Sequence, residues 1–182
     1  MESLADLPAS LRNRADYGDL LLTFHAVHLQ IESAVFTPAR DQGWRQLGID
    51  IAGHQQLELV TRDLRALGRA PQARSAGDPG PAAPGLGSRA EALGRLYVLE
   101  GSAIGRRVLS PLLHEKLGDV PSAFFDGVGR HPRAWRSVQR AIASLADSPR
   151  QRREMLTGAR AAFQVFVDHL SRRADRWALS AG

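Results

Sequence analysis

Two glycines four residues apart, Gly101 and Gly105, stand in the middle of the run Tyr97-Val98-Leu99-Glu100-Gly101-Ser102-Ala103-Ile104-Gly105. The longer stretch from about Ser88 to Gly118 places Leu93, Tyr97, Ile104, Val108 and Leu112 on one face of a helix. A glycine inside a helix costs about 1 kcal/mol relative to alanine, so helix stability is given up here for something else. Residues four apart share a face, one turn above the other. Without Cβ atoms the backbone there can lie directly against a flat partner, and it can kink. Ser102 can bond back to a carbonyl of the preceding turn, which also favours bending. Two uses fit the spacing: tight helix–helix packing, or a platform for a flat ligand.

Other chemistry-bearing residues are more scattered. Arg136 and Arg140 lie one turn apart on a helical pattern and are suited to grip carboxylates through forked hydrogen bonds; two solvated surface arginines would show the same spacing. His25 and His28, three apart, could grip a metal, but no carboxylate cluster completes a di-iron bundle site. His28 falls on an apolar face, as a hydrogen-bonded core histidine would, and His25 flanks it. His54, His114, His131 and His169 are isolated singles, read as structural or surface residues. No metal ligand is assigned. Glu100 points about a quarter-turn from the glycines and is expected in solvent or paired with Arg95 or Arg107.

The elements that must hold these residues are helices. The 182 residues suffice for one domain with a real core. A hydrophobic content of 43% with 24% charged residues is that of a globular chain. No apolar run approaches the roughly 20 residues of a membrane span, and the N-terminus does not read as a secretory signal. The absence of cysteine excludes disulfides, thiolate haem ligation and iron–sulfur sites, and a cytoplasmic location fits. The net charge of +5 is carried almost wholly by arginine, Lys116 being the one lysine. The arginines are interspersed with acids: Arg152-Arg153 and Arg172-Arg173 lie near Glu154, Asp168 and Asp175. That is the pattern of a solvated face, or of a positive patch that attracts an acidic partner. Neither a helix-turn-helix signature nor aromatic–basic interleaving supports nucleic-acid binding.

In chain order, Met1 to Leu7 reads as the end of a helix stopped by Pro8. Asp16 and Asp19 open an amphipathic helix carrying Tyr17, Leu20, Leu21, Phe24, His28, Ile31 and Val35, with Pro38 beyond its end. A looser stretch after Trp44 leads to His54. Leu57, Val60, Leu64 and Leu67 mark a further helix, ended by Gly68. Residues 69–87, including Asp78-Pro-Gly-Pro81, form the best loop and lie inside a single domain spanning 1–182. Gly118 to His131 is irregular. Trp135, Val138, Ile142 and Leu145 mark a helix, and Asp147-Ser148-Pro149 starts a last one carrying Met155, Ala159, Ala162, Phe163, Phe166 and Leu170. No segment alternates as a strand should. The fold class is all-α.

The run Leu96-Tyr97-Val98-Leu99-Glu100-Gly101-Ser102-x-x-Gly105 resembles the distal-helix signature of bacterial haem oxygenases, in particular those that supply biliverdin to phytochromes. The resemblance extends through the segments Tyr17–Glu32, Phe124–Leu145 and Ala161–Phe163. It implies a single-domain multi-helical bundle in which a kinked glycine-bearing helix lies over haem. Gly101 and Gly105 would press on iron-bound oxygen and bind the cofactor. Ser102 would help hold the catalytic water, and Arg136 and Arg140 would clamp the haem carboxylates. Haem would be substrate and cofactor together, with an external reductant such as a ferredoxin or flavodoxin, and a bacteriophytochrome as the client for biliverdin. The products would be biliverdin, iron and carbon monoxide.

In the family the proximal histidine lies in the first helix, within a Thr-x-x-x-His-x-x-x-Glu-like pattern. That helix is expected just ahead of a segment like Glu2–Leu7, and no histidine precedes His25. The ligand-bearing part of the first helix is therefore expected to be missing. This leaves two functions open: haem oxygenase, or a catalytically inactive protein of that fold that binds haem, biliverdin or another planar ligand.

Overall fold

A computed structural model describes residues 11–37, 41–71, 87–127 and 133–180. Among these residues every regular element is helical. They are α1 (Arg14–Val35), α2 (Asp41–Gln46), a 3-10 turn (Ile51–Gly53), α3 (Leu57–Ala66), α4 (Arg89–Leu117), α5 (Ala123–Asp126), α6 (Arg133–Leu145) and α7 (Pro149–Ser180). The expected helix end at Met1–Leu7, most of the loop at 69–87, and His131 lie outside the described residues. No helix among the described residues is long and apolar enough to cross a membrane.

Local chemistry sets the helix ends. The Asn13 side chain accepts hydrogen bonds from the amides of Ala15 and Asp16 and so starts α1. Tyr17, Leu20, Leu21, Phe24, His28, Ile31 and Val35 are all buried along that helix, as their spacing predicts. Ser88 caps α4 through the Glu91 amide, and Gly118, at φ 70°, ends it. Gly68, at φ 69°, follows α3. Both ends exploit a left-handed conformation that glycine adopts without penalty. The stretch after Trp44 is more ordered than its pattern suggests. The Trp44 indole N–H donates to the Val35 carbonyl at 3.1 Å, pinning α2 to the end of α1. The segment before Gly127 also holds a short helix, α5, because the buried Asp63 carboxylate accepts the Ala123 and Phe124 amides at 3.1 and 2.8 Å.

The central helix is α4, which packs on α7, α6, α1 and α5. Its core face is Ala92, Leu96, Leu99, Ala103 and Leu113. The face picked out by the sequence pattern is a different one. Only Leu93 of that set is buried, whereas Tyr97, Ile104, Val108 and Leu112 are exposed, Val108 by 69%. Phe163 on α7 is likewise exposed and not in the core. The reason lies in where α7 crosses. A Cβ on Gly94 would run into the Met155 carbonyl and the Ala159 amide, and one on Gly158 into the Glu91 carbonyl. The two helices therefore meet backbone to backbone at Gly94 and Gly158, early in α4. The later part of the glycine-bearing face has no such cover among the described residues.

Candidate functional site

Gly101 and Gly105 lie on that open face. Among the described residues, a Cβ built on either meets no atom within 4 Å beyond its own stretch of helix. Tight packing, one of the two uses the spacing allows, thus belongs to Gly94 and Gly158 and not to this pair. Gly101, Gly105, Tyr97, Ile104, Val108 and Leu112 form a strip that is apolar and, at its glycines, flat to the backbone. At one end Tyr97 packs on Trp135 of α6, ring centroids 5.3 Å apart. At the other, Leu112 also lines a small cleft with Leu109, Leu113 and Lys116. The Ser102 hydroxyl donates to the Leu99 carbonyl at 2.7 Å. Its proton is committed to the helix, leaving its lone pairs to accept a bond from a water. Arg136 and Arg140 are exposed on α6. Trp135, which meets Tyr97, lies on the same helix.

A second group of polar residues is buried between α1, α3 and α4. His28 is fully buried, with Nδ1 2.7 Å from Oε1 of Glu32. The same oxygen accepts the Gln56 and Leu57 amides at 3.0 Å each, capping α3. An oxygen that takes two amide protons acts as an acceptor toward the ring, which assigns the proton to Nδ1 of His28. In the neutral ring Nε2 is then the unprotonated, accepting nitrogen. The guanidinium of Arg106, 3% exposed, stands 3.5 Å from that Nε2. Arg106 also donates to the Gln56 side-chain carbonyl and lies 3.7 Å over the Phe124 ring.

Glu100 is fully buried rather than solvated, and its partner is neither Arg95 nor Arg107. Its carboxylate lies 3.0 Å from Nδ1 of His54, whose Nε2 is 3.4 Å from the Ser137 hydroxyl. The buried His54 ring thus links α4 to α6. Arg95 pairs with Glu91 at 2.5 Å. His25 is half-buried, and desolvation holds its pKa below the usual histidine value against a weaker opposing pull from Glu32. Groups of three or more residues able to hold a metal ion are absent among the described residues.

The structure therefore brings Gly101 and Gly105 together on one face but separates them from His28. Arg106 follows Gly105 directly, so its side chain leaves α4 about 100° round the axis from the glycine strip. His28 is the hydrogen-bonded core histidine its apolar face suggests; its partner Glu32 is what pattern reading did not name. The signal was present: a histidine and a glutamate four apart on a helix, the spacing His-x-x-x-Glu. It was obscured because His28 also fits the apolar repeat of α1.

Among the described residues the protein is all-helical, with an uncovered glycine pair on α4 and, on α1, a buried histidine held by a carboxylate. No family model matches the sequence. A protein of Xanthomonas campestris pv. campestris (strain 8004) named heme oxygenase is 31% identical over 122 residues, covering 66% of this chain and 70% of that relative. The chain belongs to the haem oxygenase family.

Proposed function

We propose that the protein is a haem oxygenase, cleaving haem to biliverdin, iron and carbon monoxide. The observation that carries this is the uncovered glycine pair. Gly101 and Gly105 weaken α4, serve no packing contact among the described residues, and pave an apolar strip of the kind a macrocycle face requires. Haem, when bound, supplies an oxygen-activating iron and is itself the material oxidised, with electrons from an external reductant such as a ferredoxin or flavodoxin. The residues of this chain position it. The strip admits the ring plane, Arg136 and Arg140 hold its carboxylates, and Ser102 accepts a hydrogen bond from a water beside the glycines. A cytoplasmic setting and a bacteriophytochrome as client for the product belong to the same proposal.

A second reading, a haem- or biliverdin-binding protein without turnover, is favoured by one contact. The residues fit haem at the strip. They do not fit it at His28, because Arg106 stands at Nε2. Hemin titration followed by reductant under air tests both. A Soret band that bleaches into a biliverdin spectrum supports the oxygenase. Stable binding without bleaching supports the binder, and failure to bind contradicts both.

A further inference from the structure

We infer that the outward face of α7 is a docking surface for an acidic amphipathic helix of another protein. This helix carries apolar residues on two sides. Met155, Ala162 and Phe166 are buried in the core, whereas Leu156, Phe163 and Val167 stand 56, 58 and 49% exposed. Spacings of seven and four place these three within about 40° of one another round the axis, along roughly 17 Å of its length. Such a line of anchors is how one helix receives another. Single exposed apolar residues are ordinary, but three large ones in one line form a patch of the kind a partner covers. The stripe lies on a different helix from the glycine pair and needs no haem.

The charges beside the stripe select the partner. Arg153 and Arg160 are exposed, three residues before Leu156 and four after it, and so lie on the same side of α7. Their neighbours are already engaged: Arg150 pairs with Glu154 at 2.8 Å, and Arg152 donates to the Ala146 carbonyl at 2.5 Å. Arg153 and Arg160 donate no hydrogen bond among the described residues. Carboxylates on an incoming helix would meet these guanidiniums as forked pairs at the edge of an apolar seam. A second copy of this chain is the wrong partner. Laying two such faces antiparallel so that Leu156 of one copy meets Phe163 of the other brings the two Arg160 side chains together, and like charges there oppose association. A bilayer is a poorer fit as well, because the stripe is one residue wide and is bordered by the exposed polar residues Thr157 and Gln164.

The test is fluorescence anisotropy with a labelled helical peptide of about 20 residues that carries leucine along one face and glutamate beside it. A counterpart with lysine in place of glutamate is the control, and both are titrated with the full chain. The glutamate peptide should bind saturably and about tenfold or more tightly than the lysine peptide, with the difference shrinking as salt is raised. Phe163→Ser and Arg160→Glu should each weaken its binding about tenfold or more. Both residues are exposed, so urea midpoints should stay near that of the parent and show that folding is intact. Failure of the glutamate peptide to bind, equal binding of the two peptides, or parent-like binding by both folded variants overturns the inference. Dimerisation of the chain that Phe163→Ser abolishes, read by sedimentation, would overturn it in favour of a second copy. Flotation with phosphatidylglycerol vesicles that the same change abolishes would overturn it in favour of a membrane.

Discussion

Gly94 and Gly101 lie two turns apart on the same side of α4 and meet opposite surroundings. Gly94 is pressed against the Met155 carbonyl of α7, while among the described residues a Cβ on Gly101 meets no atom within 4 Å beyond its own stretch of helix. One helix thus uses glycine for two purposes, and substitution tells them apart. Gly94→Ala and Gly158→Ala should destabilise the protein by about 1–3 kcal/mol, since an overpacked contact must spread the helices. Gly101→Ala and Gly105→Ala should each stabilise it by up to about 1 kcal/mol, because nothing blocks the methyl group and the helix gains propensity. Urea denaturation of the four variants gives the comparison. Destabilisation by all four would show that the strip is a packing surface.

Glu32 holds His28 within α1 and joins α1 to α3 through the two amides that begin α3. Glu32→Ala leaves these buried donors without their acceptor and should cost about 3–5 kcal/mol. Glu32→Gln keeps the shape but removes the charge and should cost less. Denaturation midpoints measure both, and a change below about 1 kcal/mol in the alanine variant would remove Glu32 from this role.

The end of α4 is tied to α5 by a half-exposed pair. Nε2 of His114 is 3.2 Å from Oδ1 of Asp126, and Asp126 also accepts from the hydroxyls of Ser110 and Ser122. The bond to Asp126 raises the pKa of His114 above 6.5. A raised histidine pKa contributes stability that is present in full below the unfolded value near 6.5 and is lost as pH rises through the folded value. His114→Gln should flatten that part of the stability–pH curve. The amplitude is that of an exposed pair, about 0.2–1 kcal/mol. A parent protein with equal stability on both sides of the transition would contradict the assignment.

Much of the fold was legible because α1, α4, α6 and α7 carry long apolar repeats, caps or prolines that mark their ends. The short helices were not, since α2 and α5 exist through tertiary bonds from Trp44 and to Asp63 that no local pattern contains. The glycine pair stood out as a candidate in the sequence because its cost is intrinsic to the helix. Whether its face is covered by a helix was not legible, because an apolar stripe looks the same whether a helix or a ligand covers it. Glu100 was placed in solvent for a related reason: a charged residue has no sequence signal for a histidine 46 positions away.

The most direct measurement is hemin affinity, by absorption titration, of Gly101→Leu and Gly105→Leu beside the parent chain, with urea midpoints recorded for all three. The account predicts a saturable Soret transition in the parent and a loss of about tenfold or more in each variant, with folding preserved. Parent-like hemin binding by folded leucine variants would contradict the claim that the glycine strip is where the ligand lies.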